Sequence, residues 1–198
     1  MIRQLKPYFV AAGLLLVFSL ASARSAHAVP ITYSTTGSFN GGPSTITFGT
    51  GGNLTTITFT GVSSTVDPSP NPFTFSSLGH FQTTATGTGA TITPGTTFTL
   101  TITQTAPGSG TGSFPATLTG TIDQNTSTGL VTFSVSSVKI NGVTYTLTNN
   151  PLPLVPPSTN NGITTVQAQI STVPEPATML LLGTGLAGMA GAVRRRRA

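Results

Sequence analysis

The sequence predicts an all-β protein, an antiparallel β-sandwich of jelly-roll or Greek-key kind, with an apolar helix at each end. Three observations carry this. Apolar residues alternate strictly with threonine or serine through much of the chain, as in half-buried strands. Turn-forming Gly, Pro, Asn and Asp recur at short intervals between these runs. Between residues 29 and 172 no segment has the 3.6-residue apolar period of an amphipathic helix. A stacked β-solenoid is the alternative, but the sequence shows no fixed repeat length.

The strands follow in order from this alternation. Ile31–Phe39, Thr45–Phe48 and Leu54–Thr60 come first; in the third, Ile57 and Phe59 alternate with Thr56, Thr58 and Thr60. Leu78–Thr86 follows a stiff connection, Asp67-Pro68-Ser69-Pro70-Asn71-Pro72. Thr97–Gln104 sets Phe98, Leu100 and Ile102 against threonines, and Phe114–Ile122 keeps Leu118 and Ile122 in one phase across Gly120. Residues 106–112 form a flexible tip between them. Leu130–Ser136 places Val131, Phe133 and Val135 on one face. The phase then slips before Val138–Ile140, so Ser136-Ser137 marks a bulge or a strand break. Asn141-Gly142 between Ile140 and Val143 predicts a two-residue type I′ hairpin into Val143–Leu147. A Pro-rich excursion over residues 149–162 precedes the last strand, Ile163–Ile170.

Composition narrows the chemistry. The pI is about 10.5, yet Arg3, Lys6, Arg24 and Arg194 to Arg197 all lie in the terminal segments. Residues 29–172 hold Lys139 against Asp67 and Asp123, a net charge of −1 with His80 neutral. A body without a basic patch is not a nucleic-acid binder. The chain has no cysteine, which excludes disulfides and thiolate chemistry. A Ser/His/Asp arrangement would have to use His80 with Asp67 or Asp123, and no Gly-x-Ser-x-Gly elbow is present. Paired carboxylates would require Asp67 to meet Asp123. The expectation is therefore a non-enzymatic body with no cofactor. Asp123, Asn125 and Ser127 at alternate positions before Gly129 resemble half of a calcium loop, but no glutamate completes it. The same residues start turns unaided, and a structural hairpin loop is the plainer reading. Lys139 alternates with Val138 and Ile140 and points to solvent. Asn53-Leu54-Thr55 and Asn125-Thr126-Ser127 match the N-glycosylation pattern, which by itself establishes nothing.

The ends read as targeting segments. Arg3 and Lys6 precede an apolar run, Phe9 to Leu20, and Ala26-His27-Ala28 offers small residues for cleavage before Val29. Ala21-Ser22-Ala23 is a second candidate site, and an uncleaved N-terminal anchor is the alternative. Residues 1–28 are thus a signal peptide and 29–172 one Thr/Ser/Gly-rich domain. At the other end Pro174-Glu175-Pro176 resists helix formation. Ala177 to Val193 then gives 17 residues without an ionisable group, and as a helix they would span about 25 Å. That is near the lower limit for a bilayer core. Arg194, Arg195, Arg196 and Arg197 form a cytoplasmic stop by the positive-inside rule. A plain membrane anchor would need no more than this.

The order Pro-Glu-Pro, short apolar helix and terminal arginine cluster over residues 173–198 resembles the PEP-CTERM sorting signal of exported bacterial proteins. The resemblance implies recognition by a membrane-embedded exosortase, transient residence in the inner membrane and cleavage near Pro174, Glu175 and Pro176. It implies a mature protein at the cell surface or in the extracellular matrix, in an exopolysaccharide or biofilm setting. It is silent about the body. A hydroxyl-rich, weakly charged sandwich suits contact with extracellular polysaccharide. A dedicated carbohydrate-binding module would need exposed aromatic rings; the body has no Trp, only Tyr33 and Tyr145, and its phenylalanines mostly fall on core phases. An ice- or surface-binding β-protein would need a flat ladder of threonines.

Overall fold

The computed structural model describes residues 29–68, 71, 73–172 and 185. The chain divides into a unit spanning Ala28–Pro174 and a second made of Met1–His27 and Glu175–Ala198. The expected signal helix, both of its cleavage sites, Pro174-Glu175-Pro176, the helix over 177–193 (residue 185 apart) and the arginine tail lie outside the described residues. Among the described residues no helix is long and apolar enough to cross a membrane.

Alternation of apolar and hydroxylated residues gives fourteen strands among the described residues: β1 Ile31–Phe39, β2 Thr45–Thr50, β3 Asn53–Thr60, β4 Ser63–Val66, β5 Phe73–Thr86, β6 Ala90–Thr91, β7 Thr97–Ala106, β8 Gly110–Thr119, β9 Thr121–Ile122, β10 Leu130–Phe133, β11 Ser137–Ile140, β12 Val143–Leu147, β13 Leu152–Pro153 and β14 Ile163–Thr172. A 3₁₀ turn, Asn160–Gly162, leads into β14. The first sheet has the order β13-β10-β8-β7-β1-β4 and the second β11-β12-β14-β5-β3-β2. All their pairings are antiparallel, and the short β6–β9 ribbon forms a third sheet.

The two inner faces supply the core. Phe39 and Phe98 from the first sheet meet Phe59 and Phe81 from the second, with ring centroids 4.8–6.4 Å apart. Further along, Tyr33 and Tyr145 pack edge to face at 5.7 Å. Their hydroxyls are buried, so each needs a partner. Tyr145 donates to Gln104 Oε1 at 2.9 Å, and Gln104 Nε2 donates to the Gly108 carbonyl at 2.8 Å. The Tyr33 hydroxyl meets Ser76 Oγ at 2.7 Å and the Ser77 carbonyl at 2.8 Å. Burial raises the pKa of both tyrosines above the ordinary value, so they serve as neutral hydrogen-bond donors.

Several expectations are sharpened or corrected. Asn141 and Gly142 both take positive φ, 44° and 85°, between Ile140 and Val143, which pair, as a type I′ hairpin requires. The expected strand over 130–136 stops at Phe133, because the chain there leaves the first sheet and enters the second at Ser137. The phase slip at Ser136-Ser137 marks this crossing, and Val135, expected on a core face, is exposed. The expected strand over 114–122 breaks at Gly120, whose φ is 104°, and it starts earlier, at Gly110. The strand expected from Leu78 begins at Phe73. β4, β6 and β13 are short pieces whose alternation is too brief to read.

The early start of β5 has a consequence for the surface. Val166 pairs with Gly79 and Gln167 with Ser77, so Leu78 is bulged out of register. A bulge reverses which residues face outward. Beyond it Phe81 and Thr83 are buried and Gln82 and Thr84 exposed; before it Phe73 and Phe75 are exposed instead. Two phenylalanines that simple alternation assigns to the core thereby stand on the outer face.

Candidate functional site

The outer face of the second sheet carries an exposed aromatic pair, Phe73 and Phe75. Register places Phe75 beside Gln169, Thr146 and Ser137 in one row across β5, β14, β12 and β11. The next row is Phe73, Ser171, Thr144 and Lys139. Phe73 is 40% and Phe75 59% exposed, and their rings meet edge to face at 5.8 Å. β5 pairs with β3 from His80 onward, and over Phe73–Gly79 its ladder partner among the described residues is β14. The aromatic pair therefore stands beyond the β3 ladder, with amides and hydroxyls of β14 and β12 beside it. Ser137 Oγ and Thr146 Oγ1 lie 3.2 Å apart, which stiffens the far end of the first row. Lys139 is exposed, as expected.

The residues considered for catalysis stand elsewhere. His80 sits on the outer face opposite Thr60 and Thr165. Asp67 follows the end of β4 and is exposed. Asp123 stays within its own loop: Oδ1 accepts from the Asn125 and Thr126 backbone N–H groups at 2.7 and 2.6 Å, and Oδ2 from the Thr126 hydroxyl at 2.6 Å. The Ser127 hydroxyl accepts from the Gly129 N–H at 3.1 Å. The Asp123 carboxylate and the Ser127 hydroxyl thus hold a tight loop, closed by a bridge between Ile122 and Ser127. No group of three or more His, Cys, Asp or Glu side chains able to hold a metal occurs among the described residues. A surface groove of about 330 Å³ is lined by Asn40, Ile46, Thr47, Phe48 and Thr93 to Thr96, none of them ionisable.

The Asp123 loop makes a prediction in acid. The Thr126 hydroxyl, then the Thr126 and Asn125 N–H groups, hold its carboxyl below the ordinary value. A depressed folded-state pKa gives stability that is present above the unfolded value, about 4, and lost as pH falls through the folded one. Asp123→Asn should therefore lose stability relative to wild type at pH 7, with the difference shrinking below about pH 4. Urea midpoints measured from pH 7 into acid check this. A difference that stays constant across that range would contradict it.

The body as described is an all-β sandwich whose last strand, β14, runs directly into the segment holding the Pro-Glu-Pro, apolar and arginine blocks. The class this defines is an exported domain with a C-terminal sorting tail. The family model for the PEP-CTERM protein-sorting motif matches residues 172–197, so the chain carries a PEP-CTERM sorting signal at that end, and its body is unassigned. The motif supports an exosortase-processed, secreted surface protein with membrane association at its C-terminus. No curated protein and no solved structure matches the chain.

Phe73 and Phe75 are the site residues that sequence reasoning missed. The signal that points to them is the doublet Leu78-Gly79, where a glycine interrupts an otherwise regular strand.

Proposed function

We propose that the mature body is a non-enzymatic matrix protein that holds neutral exopolysaccharide of a biofilm or cell coat against the outer face of its second sheet. The observation that carries this reading is the exposed Phe73–Phe75 pair beside Gln169, Ser171, Thr144 and Thr146. Sugar rings present apolar C–H faces that stack on aromatic rings, while their hydroxyls exchange hydrogen bonds with amides and hydroxyls. A rigid sheet holds both kinds of group in place without an ordering cost on binding. The near-absence of charge suits an uncharged polymer.

Affinity electrophoresis through gels containing the host's exopolysaccharide tests it. Phe73→Ala/Phe75→Ala should weaken retention at least about tenfold, the equivalent of about 1.4 kcal/mol. Both side chains are exposed, so thermal stability should stay close to wild type. Unchanged retention of the double variant, or no retention of wild type, would overturn the reading.

A second reading, surface-water or ice binding, draws on the threonine ladder of β2 and β3. Thr45 and Thr58 hydroxyls lie 3.1 Å apart, and Thr47 and Thr56 hydroxyls 2.9 Å apart. These hydroxyls spend hydrogen bonds on each other, which leaves fewer for an ordered water layer. Thermal hysteresis in a freezing assay would favour this reading over the first.

A further inference from the structure

Both ends of the described body leave from the same end of the sandwich. In the first sheet, Ile31 at the start of β1 pairs with Val66 at the end of β4, and Thr32 pairs with Ala106 at the end of β7. In the second, Thr172 at the end of β14 pairs with Val143, and Phe73 at the start of β5 pairs with Ser171. Asn141 ties the two layers together here, its side-chain amide donating to the Ser109 carbonyl. Four large apolar side chains are exposed among the described residues: Val29, Phe73, Phe75 and Val135. Val29 lies two residues before β1, Phe73 is the first residue of β5 and Phe75 is one outward position further in. Three of the four thus gather at the exit end. Lys139 shares a row with Phe73 and stands close to the same end.

The chain outside the described residues says what this end meets. Between Thr172 and the apolar run that starts at Ala177 there are only Val173, Pro174, Glu175 and Pro176. Four residues reach at most about 14 Å when fully extended. As long as the sorting segment is attached and embedded, the exit end is confined close to the lipid surface. Exposed phenylalanine rings bury at the boundary between headgroups and acyl chains, and a lysine beside them is drawn to anionic headgroups.

We infer that the uncleaved protein beds its exit end on the membrane surface, with Phe73 and Phe75 in the boundary between headgroups and acyl chains, and that cleavage near Pro-Glu-Pro uncovers them. Processing then does more than release the body: it frees the aromatic pair. The further step, that cleavage switches on glycan binding, rests on the polysaccharide reading; the lipid contact does not.

The absence of tryptophan from the chain allows a single-site reporter. Full-length Phe75→Trp is reconstituted in vesicles of phosphatidylethanolamine and phosphatidylglycerol, with a protease site inserted between Thr172 and Val173. Thr84→Trp, exposed on the same sheet face beyond the bulge, is the control. The indole of the uncleaved Phe75→Trp variant should emit to the blue of the control and be quenched several-fold more by brominated acyl chains. Protease release should abolish both differences. Emission and quenching equal to the control before cleavage would overturn the inference. Blue-shifted emission without bromolipid quenching would also overturn it, since protein and not lipid would then be the cover. Loss of polysaccharide retention in the electrophoresis assay leaves the quenching result unaffected, so the two readings fail separately.

Discussion

Phe98→Ala is expected to cost about 3–5 kcal/mol of unfolding free energy. The ring is 1% exposed and lies where the two sheets meet. It packs on Phe81 at 4.8 Å, Phe39 at 5.0 Å and Phe59 at 5.1 Å. Gly37 leaves the space it fills, because a Cβ there would lie 2.6 Å from the Phe98 ring. Truncation therefore removes contacts to three rings at once, and strand backbones tied into two ladders cannot collapse into the void. A domain of this size is stable by about 5–15 kcal/mol, and this chain has no disulfide to compensate. Urea unfolding should show a lower midpoint with an unchanged slope. A loss below about 1 kcal/mol would mean that the aromatic cluster is not the centre of the core.

Gly79→Val is expected to be nearly as damaging, for a different reason. Gly79 has φ of 119°, a conformation that L side chains rarely adopt. A Cβ there would lie 2.5 Å from the Thr60 carbonyl oxygen and 2.6 Å from the Phe59 ring. Backbone strain of this kind costs about 1–3 kcal/mol before any clash is counted. The chain could relieve it only by removing the bulge, which would reverse the outward set of β5 and turn Phe73 and Phe75 away from solvent. The variant should therefore lose both thermal stability and polysaccharide retention, whereas Phe73→Ala/Phe75→Ala loses retention alone. A Gly79→Val protein with wild-type melting would contradict the assignment of the bulge.

These two variants also mark what was legible in the sequence. Phe98, Leu100 and Ile102 alternate with threonine, and the strand and its buried face followed directly. Asn141-Gly142 named its own turn, because few residue pairs tolerate two successive positive φ values. Phe73 and Phe75 were not legible as surface residues, since alternation carried back from Phe81 puts them inside; only the extra residue at Leu78 reverses them. The crossing at Ser134 to Ser136 was visible as a lost phase but not as a change of sheet, because pairing of β1 with β4 and β7, or of β5 with β14, joins residues far apart in sequence. The Asp123 loop could be read as half a cation site from spacing alone; the hydrogen bonds that turn its carboxylate onto Thr126 belong to the folded loop. The sorting motif was the reverse case, since the order of its blocks identifies it without any pairing between distant residues.

A β-sandwich delivered outside the cell through this signal should be separated there from its sorting segment. The most direct test is the intact mass of the protein recovered from the outer fractions of its native host. The expected species begins near Val29, ends between Pro174 and Ala177, and lacks Arg194 to Arg197. A species that still carries the four arginines would contradict the claim and would make this an anchored membrane protein.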